Sequence, residues 1–103
     1  MEVEGFLAIE NGATPDLVVE STHTVRDVFA VVRQAPSGAP VTIRLKQNNI
    51  EYCSLSIAAG STLSSVVDGF ALPPLLAGAL LGVDITVVGT TTPGADLTVV
   101  VRL

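Results

Sequence analysis

Four stretches of this chain alternate apolar and polar residues with a period of two. Only an extended strand puts every second side chain on one face. Val41, Ile43 and Leu45 alternate with Thr42, Arg44 and Lys46. Cys53, Leu55 and Ile57 alternate with Ser54 and Ser56. Leu81, Val83, Ile85 and Val87 alternate with Gly82, Asp84, Thr86 and the less polar Val88. Leu97, Val99, Val101 and Leu103 alternate with Thr98, Val100 and Arg102. Between the runs lie turn formers: Ala35-Pro36-Ser37-Gly38-Ala39-Pro40, Asn48-Asn49, Ala58-Ala59-Gly60-Ser61 and Thr90-Thr91-Thr92-Pro93-Gly94. Glycine supplies positive φ, proline presets φ, and asparagine tolerates the left-handed region. Strands of ordinary length punctuated in this way predict an all-β fold, an antiparallel β-sandwich of about eight strands.

Two segments pull the other way. Val25, Val28, Phe29 and Val32 fall at i, i+3, i+4 and i+7, and Thr24 with Asp27 has the spacing of a helix capping box. Four valines and one phenylalanine within nine residues favour a strand, so residues 24–33 are read as one. Leu75 to Leu81 follows Pro73-Pro74 and is interrupted by glycine, which suits a loop feeding a strand that starts near Leu80. At the front, Val3 to Ile9 and Leu17 to Glu20 read as two further strands joined by Asn11-Gly12-Ala13-Thr14-Pro15.

Composition narrows the function classes. A length of 103 residues suits one domain. Apolar residues make up 49% and charged ones only 15%, against an ordinary charged share of about 25%. That balance opposes intrinsic disorder. The net charge is −5, and Arg26, Arg33, Arg44, Lys46 and Arg102 are scattered, so no cationic stripe awaits nucleic acid. The longest apolar stretch, Phe70 to Val83, is 14 residues and broken by prolines and glycines. A spanning helix needs about 20, so no membrane insertion is expected. Glu2 and Glu4 stand where a secretory signal carries basic residues. So little charge on so small a chain predicts a surface partly covered by another subunit, hence a homo-oligomer. Val88, Val100, Leu75 and Leu80, apolar residues on nominally outward positions, are the candidate interface.

Reactive chemistry is sparse. His23 and Cys53 are the only residues of their kinds. Cys53 shares the apolar phase of Leu55 and Ile57, as a buried small hydrophobe does. One histidine and one cysteine cannot make a zinc site, and the carboxylates are spread singly without calcium-loop spacing. Asp84 and the other strand acids read as solvated faces, and Asp96 as a turn residue bonding backbone amides. Neither a catalytic group, a metal nor a cofactor is expected. Phe29 and Phe70 sit among apolar neighbours and read as core. Tyr52 is out of phase with Cys53 and Leu55, on the solvent side, with Asn48, Asn49 and Glu51 nearby. These four residues form the one candidate ligand platform, of the kind that stacks on a sugar.

Longer motifs carry a resemblance. Val25-Arg26-Asp27-Val28-Phe29-Ala30-Val31-Val32-Arg33-Gln34 leads into Ala35-Pro36-Ser37-Gly38-Ala39-Pro40, Val41 to Lys46 leads into Gln47-Asn48-Asn49, and Ile57-Ala58-Ala59-Gly60-Ser61 follows. Val88-Gly89-Thr90-Thr91-Thr92-Pro93-Gly94-Ala95-Asp96-Leu97-Thr98-Val99 closes the series. In this order, residues 23–103 resemble a jelly-roll module that recurs at the ends of tail-tip and tail-fibre proteins of tailed phages and prophages. That module usually has Asn-Gly where Asn48-Asn49 stands, and an aspartate where Ala79 follows the turn Leu76-Ala77-Gly78. The resemblance implies a jelly-roll domain over residues 23–103, with residues 1–22 as N-terminal strands or a leader from a longer parent protein. It implies a non-catalytic tail module, commonly trimeric, that contributes to host attachment through a surface glycan or protein. The setting it implies is the virion tail, assembled in the bacterial cytoplasm. The alternatives are a carbohydrate-binding module for bacterial surface polysaccharide and a purely architectural virion domain.

Overall fold

A computed structural model describes residues 1–13, 17–69 and 72–102. Eight strands follow one another: β1 (Glu2–Phe6), β2 (Leu17–Val18), β3 (Asp27–Gln34), β4 (Val41–Gln47), β5 (Ile50–Ile57), β6 (Val67–Asp68), β7 (Leu80–Val87) and β8 (Ala95–Arg102). All pairings are antiparallel, β1 with β8, β2 with β7, β3 with β6 and β4 with β5. This is a hairpin ribbon folded at the β4–β5 turn and rolled up. The rolling joins β3 to β8 and β4 to β7, giving sheet A in the order β1-β8-β3-β6 and sheet B in the order β2-β7-β4-β5. The result is a jelly-roll β-sandwich.

Residues 24–33 contain no helix, and β3 occupies Asp27 to Gln34, because its valines pair across the sheet with β8. The first 22 residues supply one strand to each sheet, so the sandwich draws on chain ahead of His23.

The alternation builds the core as expected. Val28, Ala30 and Val32 of β3 and Leu97 and Val99 of β8 face Val41, Ile43 and Leu45 of β4, Leu55 and Ile57 of β5, and Val83 and Ile85 of β7. All are buried. Burying a side chain of this size stabilises by about 1.5–3 kcal/mol each, before conformational entropy is counted against it.

Two bulges break the period in sheet B. Thr42 pairs with Val87 but Ile43 with Ile85, so Thr86 is extra and the phase of β7 flips at its end. Val87 is therefore exposed and Val88 packs partly on the core, the reverse of the sequence expectation. Likewise Leu45 pairs with Cys53 but Lys46 with Glu51, leaving Tyr52 as the extra residue of β5. The β4–β5 turn needs two residues of positive φ, and Asn48 (53°) and Asn49 (64°) provide them without a glycine.

Candidate functional site

The outer face of sheet A departs from a solvated strand surface. On β3 the outward residues are Asp27, Phe29, Val31 and Arg33, and on β8 they are Arg102, Val100, Thr98 and Asp96. Phe29 sits opposite Val100, and Val31 opposite Thr98. Phe29, Val31 and Val100 are each only partly covered, so an apolar stripe runs across two strands on the side away from the core. Phe29 is thus a face residue, not the core residue its neighbours suggested. Core positions on β3 go to Val28, Ala30 and Val32, one step out of phase. At one end of the stripe the Arg102 guanidinium lies 5.3 Å from the centre of the Phe29 ring and is paired with Asp27. That arrangement holds the guanidinium over the ring, a cation–π contact that caps this end of the stripe.

Beyond the other end lies an open groove of about 610 Å³, where β1 bulges away from β8. Asp96 and Thr98 floor it, with Glu2 and Glu4 on one side and Arg33 on the other. Asp96 has φ +56° and its Oδ1 accepts the Gly5 N–H at 2.8 Å, so it bonds a backbone amide, as expected, though across the sheet.

The outer face of sheet B is organised around Asp84. The pairing of β7, which carries it, with β4 places Arg44 directly opposite Asp84. Arg44 donates from Nη2 at 2.7 Å and from Nε at 3.2 Å to Oδ2, while Lys46 Nζ lies 2.9 Å from Oδ1. The Gly12 N–H also donates to Oδ1, at 2.8 Å. Asp84 is consequently 1% exposed, a buried carboxylate where the sequence suggested a solvated one. Burial pushes its pKa up, but the bonds from Arg44, Gly12 and Lys46 outweigh that and hold it at about 2. Glu10 bridges Ile85 and the Ala13 N–H donates to Val83, so residues 10–13 lie along β7 beside this network. Strand alternation marks all three charged residues as outward. The pairing of β4 with β7, which brings them together, leaves no trace in local sequence.

The platform suggested around Tyr52 is only partly assembled. Tyr52 is half-buried, and its hydroxyl donates to the Pro73 carbonyl. Asn48 is tied to Leu80 in both directions: its N–H donates to the Leu80 carbonyl and its Oδ1 accepts the Leu80 N–H. Asn49 and Glu51 are exposed. Of the four apolar residues suggested for an interface, Val100 and Val88 are partly covered and Leu80 is 42% exposed. Leu75 is a correction. It is 2% exposed, because its backbone bridges His23 in both directions and turns the side chain into the core. A neighbouring subunit cannot reach it.

His23 and Cys53 do not form a pair. The His23 ring is exposed, with Nε2 2.9 Å from the Ser21 hydroxyl, whereas Cys53 belongs to the core. Burial, then the nearby Glu51 charge, pushes the thiol up to about 11. The thiolate is the reactive form, so the native protein should react with a disulfide reagent at pH 8 far more slowly than the denaturant-unfolded chain. Absorbance of the released thiol measures it; equal rates would show that Cys53 is accessible. Phe70 lies outside the described residues. Among the described residues no group of three or more histidine, cysteine, aspartate or glutamate side chains is placed to hold a metal. Comparison of the chain with protein-family models, with curated proteins and with solved structures finds no match.

Proposed function

We propose that the chain is a non-catalytic module of a phage tail tip or fibre that assembles with copies of itself and contributes to host attachment. The observation that carries the assembly part is the apolar stripe on the outside of sheet A, where Phe29 and Val100 face each other across β3 and β8. A sheet face turned to water ordinarily carries polar residues, and three partly covered apolar ones on the same face of two paired strands mark a surface suited to a partner. The scarcity of charge points the same way. The phage-tail setting, the attachment role and the trimeric state rest on the sequence resemblance over residues 23–103, since a jelly roll hosts many functions and none follows from the fold.

The test is sedimentation of the purified chain at tens of micromolar, beside the Val100→Lys variant. The expected result is an oligomer in which Val100→Lys raises the dissociation constant by roughly tenfold or more, as a lysine must then be buried or the contact opened. Val100 is on the outer face, so the variant should keep its fold by circular dichroism. A monomer at all concentrations would sink the assembly reading. Saturable binding of the labelled chain to bacterial cells supports attachment, and its absence across hosts leaves an architectural module.

A further inference from the structure

The four sheet edges are not alike. Sheet A ends on β1, five residues with a bulge between Val3 and Phe6, and on β6, which has two residues. Sheet B ends on β2, with two residues, and on β5, with eight. Short, bulged or charged edge strands are the usual means by which proteins stop a sheet from pairing with another chain. Three edges here use them, and β5 largely does not. It contains no proline and no lysine, and Glu51 is its only acidic residue. Its bulge, at Tyr52, sits near one end and leaves Cys53 to Ile57 regular. Among the described residues β4 is its only strand partner, and no backbone hydrogen bond is made on its other side.

We infer that β5 pairs edge to edge, antiparallel, with β5 of a second copy of this chain, joining two B sheets into one. The pairing needs no other sequence, because an antiparallel match of identical strands is self-complementary about a two-fold axis. Leu55 and Ile57 face inward and Ser54 and Ser56 outward, so apolar row continues apolar row and serine row continues serine row. A chain of net charge −5 meets itself with least repulsion along a strip nearly free of charge. β5 is such a strip: with Leu55 on the axis, Cys53 falls opposite Ile57 and Ser54 opposite Ser56 of the second copy, Glu51 lies beyond this paired stretch, and like charges do not face each other. The contact deepens the self-assembly reading and rests on it, but uses a surface that the sheet A stripe does not share.

The experiment is sedimentation combined with backbone amide hydrogen exchange, on the wild-type chain, Ser54→Lys/Ser56→Lys and Val100→Lys. Both serines are exposed, so the lysines leave the core untouched, and a thermal melt of each variant checks the fold. Expected is an oligomer in which amides within residues 53–57 exchange roughly tenfold more slowly at high than at low protein concentration. The double lysine variant loses that protection and the edge contact with it, while Val100→Lys keeps the protection. If exchange in β5 is independent of concentration, or the lysines leave the oligomer intact, the edge pairing is wrong. Should Val100→Lys alone dissociate the chain while β5 exchanges freely, the edge pairing falls and the sheet A reading stands. A monomer at every concentration overturns both.

Discussion

Replacing Asp84 by alanine is expected to lower the melting temperature by roughly 12 °C, which for a chain of this size corresponds to about 3 kcal/mol. The reason is what the substitution leaves behind. Arg44 and Lys46 both converge on this carboxylate, and the Gly12 N–H donates to it. Without Asp84 two like charges stand side by side on β4 with no counter-charge, and a backbone donor loses its partner. Removing one member of a fully buried ion pair costs about 3–5 kcal/mol. The lower end applies here because Arg44 is 39% exposed and its charge is part-solvated after the change. The same carboxylate sets an acid limit. Its folded pKa of about 2 lies below the ordinary 3.8, so the native state favours the ionised form. The contribution is complete above the unfolded value and is lost as pH falls from about 4 towards 2, amounting to about 2 kcal/mol. Asp84→Asn should therefore flatten the wild-type decline in stability over that interval, read from urea midpoints at successive pH values. If the wild type and Asp84→Asn decline in parallel, the network is not what the carboxylate stabilises.

How far the sequence discloses this molecule depends on the range of the interaction. Strand alternation is local, and it marks Ile43, Leu45, Leu55, Val83 and Leu97 as core before any pairing is known. The Asn48-Asn49 turn is local too, since both residues tolerate positive φ. What local sequence cannot disclose is an extra residue in one strand relative to its neighbour. The bulge at Thr86 exists only against β4, and it reverses the faces of Val87 and Val88. Phe29 shows the complementary failure. Apolar neighbours on both sides leave no contrast in phase, so a face residue looks like a core residue. Asp84 shows a third. Its partners come from another strand and from the segment before β2, at sequence separations of 40 and 72. Leu75 is core through a pair of backbone bonds to His23, which no periodicity encodes. Of the two proposed contact surfaces, the stripe of sheet A is legible in one residue, Val100, and the open edge of β5 in none. A free edge is a property of the sheet order, not of the strand.

Gly89→Ala is expected to destabilise by at least about 3 kcal/mol, beyond the ordinary cost of overpacking. Turn glycines are commonly explained by positive φ, but Gly89 does not have one. Its requirement is space. A Cβ placed there would lie 1.9 Å from the Thr92 carbonyl oxygen, and 2.8 and 2.9 Å from the oxygen and nitrogen of Ser37. All three are backbone atoms, so no side chain can rotate away. They belong to two loops that hold each other: the Ser37 N–H donates to Thr92 at 2.9 Å, and the Thr91 N–H donates to Ser37 at 3.0 Å. These loops join β3 to β4 and β7 to β8, and each connection crosses from one sheet to the other. Making room for one methyl group must therefore separate the loops and break the bonds that tie the sheets at this end. Gly60→Ala is the control. Gly60 has φ +80° with nothing within 4 Å of an added Cβ, so alanine there meets only the left-handed penalty of about 1–2 kcal/mol. Thermal melts of the two variants should differ by roughly 4–8 °C, with Gly89→Ala the less stable. Equal melting temperatures would mean that the loops yield to the methyl group, and that their close approach does not hold the two sheets together.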